Sequence, residues 1–280
     1  MIELNKFYLS DNLEFLNTIP DNFIDLIYID PPFFTQKDWV KFVDEWNSID
    51  DYLWFMELRI KEIYRILKNT GSFYLHCDLN AGFELKILCD KIFGRDNFKR
   101  EIIWNVGSVS GFKARAKNWI RQHDIILYYT KSKEFTFNKQ YLPYSKKYTL
   151  KFSRQNSDGR KYRIRGQRKQ YLNEMKGIPI GTVWNDIYSY QTRTKSKEYL
   201  GYPTQKPEKL LERIIVTSSN KGDIVADFFC GSGTTCVMAE KLNRKWLGVD
   251  SNAEAISMSN KRLDGLQLLN EIENNTKSLF

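Results

Sequence analysis

Histidine and paired cysteine are scarce in this chain. Its 280 residues hold two histidines (His76, His123) and four cysteines (Cys77, Cys89, Cys230, Cys236), with no CxxC pair among them. That is too little for a His-rich or zinc-ribbon centre, and it favours reduced, buried thiols over a disulfide framework. No metal site is expected. No apolar run approaches the roughly 18 residues of a membrane span. The opening MIELNKFYLSDN lacks the basic-then-apolar pattern of a secretory signal, so a cytoplasmic location is the expectation. Internal repeats and low-complexity tracts are missing too. With 42% apolar residues the chain can bury one large core, with room for an inserted subdomain.

Charge is present, and its placement says more than its total of +9. Residues 138–200 carry fifteen Lys or Arg against four acids, a net of +11, which leaves the rest of the chain slightly acidic. Tyrosines 141, 144, 148, 162, 171, 188 and 190, with Trp184, are interleaved through the same segment. Basic residues mixed with aromatics suit phosphate neutralisation plus stacking or groove contacts. A solvated basic face with tyrosines packed beneath it gives the same pattern. The candidate nucleic-acid contacts here are Arg163, Arg165, Arg168, Lys169 and Arg193. A second basic stretch, between Gly107 and Arg121, adds Lys113, Arg115, Lys117 and Arg121 as a loop able to clasp a duplex or simply to sit mobile on the surface.

Strand and helix patterns alternate up to about residue 137. Strands are expected at 7–9, 24–29, 72–76, 102–104 and 125–130, and helices from Leu13, over 51–67 and over 79–93, with a stop near Asn69-Thr70-Gly71. From 138 to about 202 no period is visible, which marks an inserted region with its own small structure. Order returns with a helix over 208–218 behind Pro207, a strand at 224–226, a helix over 234–242 and a strand at 246–249. The resulting segments are 1–137, 138–200 and 201–280.

Two runs stand at strand ends, where open α/β sheets hold their ligands. One is Ile29-Asp30-Pro31-Pro32-Phe33. Its two prolines fix φ and remove two N–H groups, leaving carbonyls in the turn free to accept. An exocyclic amino group is a poor nucleophile, because its lone pair is delocalised into the ring. Asp30 and the Pro31 carbonyl can hold both amino hydrogens and favour a lone pair directed out of the ring plane. Phe33 can stack on the base, a contact worth about 1–3 kcal/mol. A structural Asp-Pro turn with a core phenylalanine is the alternative. The other run is Asp227-Phe228-Phe229-Cys230-Gly231-Ser232-Gly233. No Lys follows Gly233, as a P-loop requires, and Cys236 fills the third small position of a dinucleotide fingerprint only loosely. A tight glycine turn remains, with Asp250 ending the next strand and able to accept both ribose hydroxyls of an adenosine moiety. S-adenosylmethionine, another nucleotide cofactor and an ordinary turn all stay open at this point.

The runs IDLIYIDPPF (24–33), GSFYLHCD (71–78), QHDIILYYTK (122–131), YPTQKPEKLLERII (202–215), DFFCGSGTT (227–235) and GVDSN (248–252) together resemble the β group of amino-directed DNA methyltransferases. They span nearly the whole chain in that family's order: catalytic motif, target-recognition region, cofactor motif. The resemblance implies an α/β fold, a circularly permuted seven-stranded Rossmann-like methyltransferase sheet, with 138–200 as the recognition region. It implies S-adenosylmethionine as cofactor without a metal, and duplex DNA as partner. A cognate restriction endonuclease and a homodimer are further partners it allows. By position, Asp30, Pro31, Pro32 and Phe33 form the catalytic motif. Asp227, Phe228, Gly231, Ser232, Gly233 and Thr234 form the cofactor loop, and Asp250 takes the ribose. Lys206 is expected at the methionine carboxylate, Asp11 near the adenine, and Asp30 beside the cofactor. Asp at position 30 favours N6 of adenine over N4 of cytosine. The chain departs from the pattern at Phe33, where tyrosine is commoner, and at Phe34, where many members carry Asn. The rivals are N4-cytosine, RNA or protein-glutamine methylation, a nicotinamide oxidoreductase, and an inactive DNA-binding relative.

Overall fold

Eight strands, seven of them read from the apolar runs above, make one sheet in the computed structural model, which describes residues 2–38, 43–107, 115, 117–190 and 196–277. The strands are β1 (Lys6–Leu9), β2 (Ile24–Ile29), β3 (Leu67–Cys77), β4 (Phe98–Asn105), β5 (His123–Thr130), β6 (Val183–Trp184), β7 (Ile224–Asp227) and β8 (Lys245–Asp250). Their order is β1-β8-β7-β2-β3-β5-β4-β6. Neighbours from β1 through β3 run parallel, whereas β5 is antiparallel to both β3 and β4. Strands β2, β3, β5 and β7 are buried over most of their length, which is why they read as continuous apolar runs without alternation. The eighth strand, β6, is a two-residue pairing of Val183 and Trp184 with Ile103 and Trp104, too short to show a period in sequence.

Seven helices accompany the strands among the described residues. These are α1 (Asn12–Leu16), α2 (Ile49–Ile66), α3 (Gly82–Phe93), α4 (Lys146–Thr149), α5 (Glu208–Ser218), α6 (Thr234–Lys241) and α7 (Ala253–Lys277). In α2, Ser48 caps the N-terminus by accepting from the Asp51 amide, and Tyr52, Met56, Ile60 and Ile63 form the buried stripe. The expected stop at Asn69-Thr70-Gly71 is corrected: α2 ends at Ile66, Leu67 is already extended, and 69–71 lie within β3. Helix α7 had no counterpart in the sequence reading. Its inward face is carried by Ala255, Ser259 and Leu263 at a spacing of four, and with two of the three small, the face makes little apolar signal.

The chain divides into a large unit, Met1–Asn138 with Thr182–Phe280, and a small one, Lys139–Gly181. The inserted region is therefore shorter than 138–200. Residues from Thr182 onward return to the large unit, where β6 pairs with β4 and Trp184, Ile187 and Tyr190 are buried. The small unit holds a three-stranded antiparallel sheet (Arg154–Gln155, Lys161–Arg165, Arg168–Tyr171), the pairing of Tyr141–Leu142 with Ile178–Pro179, and α4. Within it Tyr144 stacks on Tyr148 at 4.4 Å, and the Arg163 guanidinium lies over Tyr148 and the buried Phe152.

Parallel pairing of β2, β7 and β8 brings Asp30, Asp227 and Asp250 to one edge of the sheet. Strands β2 and β7 lie almost two hundred residues apart in sequence yet pair directly, Leu26 opposite Val225 and Ile27 opposite Ala226.

Candidate active site

These strand ends border one cavity of about 610 Å³, lined by residues of both motif runs. On one side is the glycine loop. Gly231 and Gly233 have φ of 49° and 74°, a region costly for any residue with a Cβ. A Cβ on Gly233 would also lie 2.7 Å from Ser259 Oγ, and one on Gly231 would lie 3.3 Å from the Tyr202 ring. Asp250 closes the loop: Oδ2 accepts the Gly231 amide at 2.8 Å and Oδ1 the Asn252 amide at 2.9 Å. Burial raises its pKa, and those amide bonds pull the other way. Asp227 accepts from the Phe229 amide and the Thr235 hydroxyl. Complete burial lifts its pKa to about 7 despite both bonds. Arg262 from α7 reaches the Thr234 hydroxyl at 2.9 Å, and Ser259 donates to the Gly231 carbonyl. The Ser232 hydroxyl is buried 3.5 Å from that of Thr234.

Opposite is the turn after β2. Asp30 Oδ2 pairs with the Lys206 ammonium, which lies 5.4 Å from the Phe33 ring centroid. Asp30 Oδ1 is buried without a hydrogen-bond partner. Beyond the prolines the chain is held by Asp44, which is 1% exposed. Its carboxylate accepts from the amides of Phe33, Phe34 and Thr35, from the Thr35 hydroxyl and from the Trp46 indole. Five donors on one buried carboxylate fix the loop that carries Phe33. Phe34 itself sits at φ 59°.

Pro32, Phe228 and Asp11 line the same cavity. The Pro32 carbonyl accepts from Tyr52 Oη at 2.8 Å. The Phe228 side chain is fully buried, and its carbonyl accepts from Asn12. Asp11 caps α1 and pairs with Arg59 at 3.1 Å, so it borders the cavity as half of an ion pair. Of the duplex-facing candidates, Arg115 and Lys117 are exposed, while Arg121 is engaged with Asp78 and Asp124. Arg163 is committed to Gln170 and Tyr148 inside the small unit, and Arg165, Arg168 and Lys169 lie exposed on its hairpin. Lys113 and Arg193 fall outside the described residues. Among the described residues no group of His, Cys, Asp or Glu is placed to hold a metal ion, and no helix is long and apolar enough to cross a membrane.

Sequence reasoning missed Asp44, Arg59 and Tyr202. Arg59 left a signal, as a cation inside the apolar stripe of α2; it is 5% exposed, bonds Asn12, and stacks 3.3 Å from the Phe55 ring centroid. Tyr202 opens the motif run 202–215, though without a role of its own there, and Asp44 left no signal.

Comparison with known proteins agrees with this layout. Residues 24–261 match the family model described as DNA methylase. The type II methyltransferase M.HpaI of Haemophilus parainfluenzae is 34% identical over 262 residues, covering 91% of this chain and 73% of that protein. The DNA adenine methyltransferase YhdJ of Escherichia coli (strain K12) is 34% identical over 254 residues, covering 91% and 81%. Among solved structures, the M1.HpyAVI–SAM complex superposes with a TM-score of 0.60 at 19% identity, covering 92% of this chain and 98% of that one. PvuII DNA methyltransferase (cytosine-N4-specific) gives 0.62 at 20% identity, covering 92% and 85%. At such identities these two structures establish the fold alone.

Proposed function

The chain belongs to the DNA methylase family, and from that membership we propose that it transfers a methyl group from S-adenosylmethionine to N6 of an adenine flipped out of duplex DNA. The observation that carries this reading is the single cavity shared by Asp30, Phe33 and the Gly231–Asp250 loop. One end presents an acceptor and an aromatic face to a base, the other a cradle for a nucleoside.

The residues present fit the cofactor. Gly231 lines the cavity beside Ser232, Thr234 and Asp250, so the turn offers backbone and hydroxyl groups where a nucleoside would lie. Each Asp250 oxygen spends one lone pair on an amide and keeps another for a ribose hydroxyl. Lys206 lines the same cavity from the Asp30 side, so a methionine carboxylate there would compete with Asp30 for its ammonium. When bound, the cofactor supplies an electrophilic methyl group on a sulfonium.

The protein's part is to hold the nucleophile. A stacked adenine cannot bring its amino group into a cavity of this kind, so the base must leave the duplex. Asp30 Oδ1, the acceptor without a partner, then receives one amino hydrogen, and the Pro31 carbonyl receives the second. A buried acceptor left unmade costs about 1–3 kcal/mol, a cost that the incoming amino group relieves. As positive charge grows on N6, the fixed Asp30 carboxylate stabilises it without reorganising. Phe33, held by the Asp44 cage, stacks on the base. The name of YhdJ and the Asp at position 30 both support adenine. Kinship with type II methyltransferases supports service in a restriction–modification pair. Nucleoside mass spectrometry of duplex DNA incubated with protein and S-adenosylmethionine tests the reading. N6-methyladenine is expected, and N4-methylcytosine alone would overturn the choice of base.

A further inference from the structure

Two of the motif runs, 71–78 and 122–131, have no role in the steps above, yet they meet beneath Asp30. His76, at the end of β3, is fully buried. Its Nδ1 lies 2.7 Å from Tyr28 Oη and 3.8 Å from Asp30 Oδ1, and its Nε2 lies 3.4 Å from Asp124 Oδ2. The ring stacks against Phe33 at 5.6 Å and 30°, with the edge of Trp104 on another side at 5.5 Å. Asp124 gives its other oxygen to Arg121 at 2.9 Å, and Arg121 also binds the buried Asp78. An apolar residue would fill this space at lower cost than a chain of buried polar groups.

Resting on the reading of Asp30 as the acceptor of the target amino group, we infer that His76 is a positioning residue, whose tautomer, set by Asp124 and Arg121, keeps Asp30 Oδ1 available to the substrate. A carboxylate only accepts, so an ionised Asp124 requires the hydrogen on Nε2. Arg121, 2.9 Å from Asp124 Oδ1, favours the charged carboxylate. Nδ1 is then an acceptor and takes the Tyr28 hydroxyl. The edge of the ring facing Asp30 carries no N–H, so His76 leaves Oδ1 unbound while its ring backs Phe33. The opposite tautomer would donate its Nδ1–H to Tyr28 Oη at 2.7 Å and bring that N–H dipole within 3.8 Å of Oδ1, lowering the basicity on which the amino group draws.

Asp124→Asn separates these states. Arg121 has no acceptor, so the amide oxygen must face it and the amide NH₂ must face His76. Nε2 becomes the acceptor, and the hydrogen moves to Nδ1. The whole chain labelled with ¹⁵N-histidine shows two imidazoles, assigned with His123→Gln. In the wild type at neutral pH His76 is expected as the Nε2–H tautomer, and in Asp124→Asn as Nδ1–H. Single-turnover methyl transfer should fall by about tenfold or more in Asp124→Asn, with S-adenosylmethionine and DNA dissociation constants within about twofold of wild type. His76→Gln, which keeps a donor toward Asp124 but removes the ring, should show the same split between rate and affinity and stands in if Asp124→Asn does not fold. An Nδ1–H or doubly protonated His76 in the wild type overturns the inference. So does an unchanged rate beside a switched tautomer, or a rate that falls in step with either affinity. Failure of the wild type to methylate adenine would instead remove the parent reading, and the tautomer of His76 would still be read independently.

Discussion

At the glycine loop, Asp250, Asp227, Ser259 and Arg262 each bond a neighbouring backbone or hydroxyl group. At the facing Asp30 turn, a buried carboxylate oxygen has no partner, and Phe34 and Gln36 stand at φ 59° and 53°. One side of the cavity is finished before a ligand arrives, while the other keeps an interaction in reserve and stores strain beside it. A receptor that must bind a cofactor in every cycle gains from rigidity. A catalytic group gains from interactions completed only when the reacting base is in place. On the proposed function the difference would divide the labour: affinity on the Gly231–Asp250 side, rate on the Asp30 side.

The most severe way to break this division is Asp30→Ala. If rate belongs to the Asp30 side, methyl transfer should fall on the order of a thousandfold or more, about 4 kcal/mol of barrier, while calorimetric S-adenosylmethionine affinity is kept or rises, because Lys206 loses the carboxylate that competes for it. Retention of more than about a tenth of the single-turnover rate, under roughly 1.4 kcal/mol, would reduce the Asp-Pro-Pro-Phe run to a structural turn. Asp250→Ala probes the opposite side. It removes the acceptor of the Gly231 amide and of the ribose hydroxyls, so cofactor affinity should weaken by about ten- to a hundredfold, the range of one or two charge-assisted bonds. The transfer rate at saturating cofactor should fall less than in Asp30→Ala. The reverse ordering would invert the comparison.

A gentler probe uses pH. The pKa of Asp227 rises from 3.8 to about 7 in the folded chain through burial. The native state then holds this proton more tightly than the unfolded state. Its contribution is present in full below pH 3.8 and is lost as pH climbs through about 7. Asp227→Asn removes that titration, so the slope of melting temperature against pH should become less negative across this window. An identical slope in the two proteins would show that the glycine loop does not carry a buried carboxylate at a cost.

Both faces of the cavity were legible in sequence because their chemistry is local. Two prolines beside an aspartate, or two glycines after a strand, declare a turn within a few residues. What lay hidden depends on contacts across the chain. Asp44 gathers amides about ten residues upstream, and Arg59 pairs with Asp11 nearly fifty residues away. His76 and Asp124 lie within the runs 71–78 and 122–131, but nothing in either run says that they touch. The tyrosines of the basic segment divide similarly. Tyr144, Tyr148, Tyr162 and Tyr171 pack on one another, the blander of the two readings, while Arg165 and Arg168 stay exposed. The boundary at Gly181, in place of 200, was obscured because β6 is two residues long and Trp184 looked like one more aromatic in a basic stretch.

The finest test concerns strain at Phe34. A bulky residue in the left-handed region costs about 1–2 kcal/mol, and Phe34 offsets part of that by packing its ring 5.7 Å from that of buried Tyr52. Replacing Phe34 by Asn, a residue that tolerates the left-handed region, changes both terms at once and cannot separate them. Comparing Phe34→Ala with Phe34→Gly can, because neither keeps the ring and only alanine keeps the strain. At an ordinary loop position alanine is the more stable of the two by about 0.4–1 kcal/mol, since glycine has more unfolded-state freedom to lose. At φ 59° that order should invert. Phe34→Gly is expected to be the more stable by about 0.5–1 kcal/mol in urea unfolding, after the entropic cost of glycine is subtracted from the relieved strain. Alanine at or above glycine would mean that the Asp44 cage holds the turn without strain. The contrast between a relaxed cofactor loop and a loaded catalytic one would then rest on Asp30 Oδ1 alone.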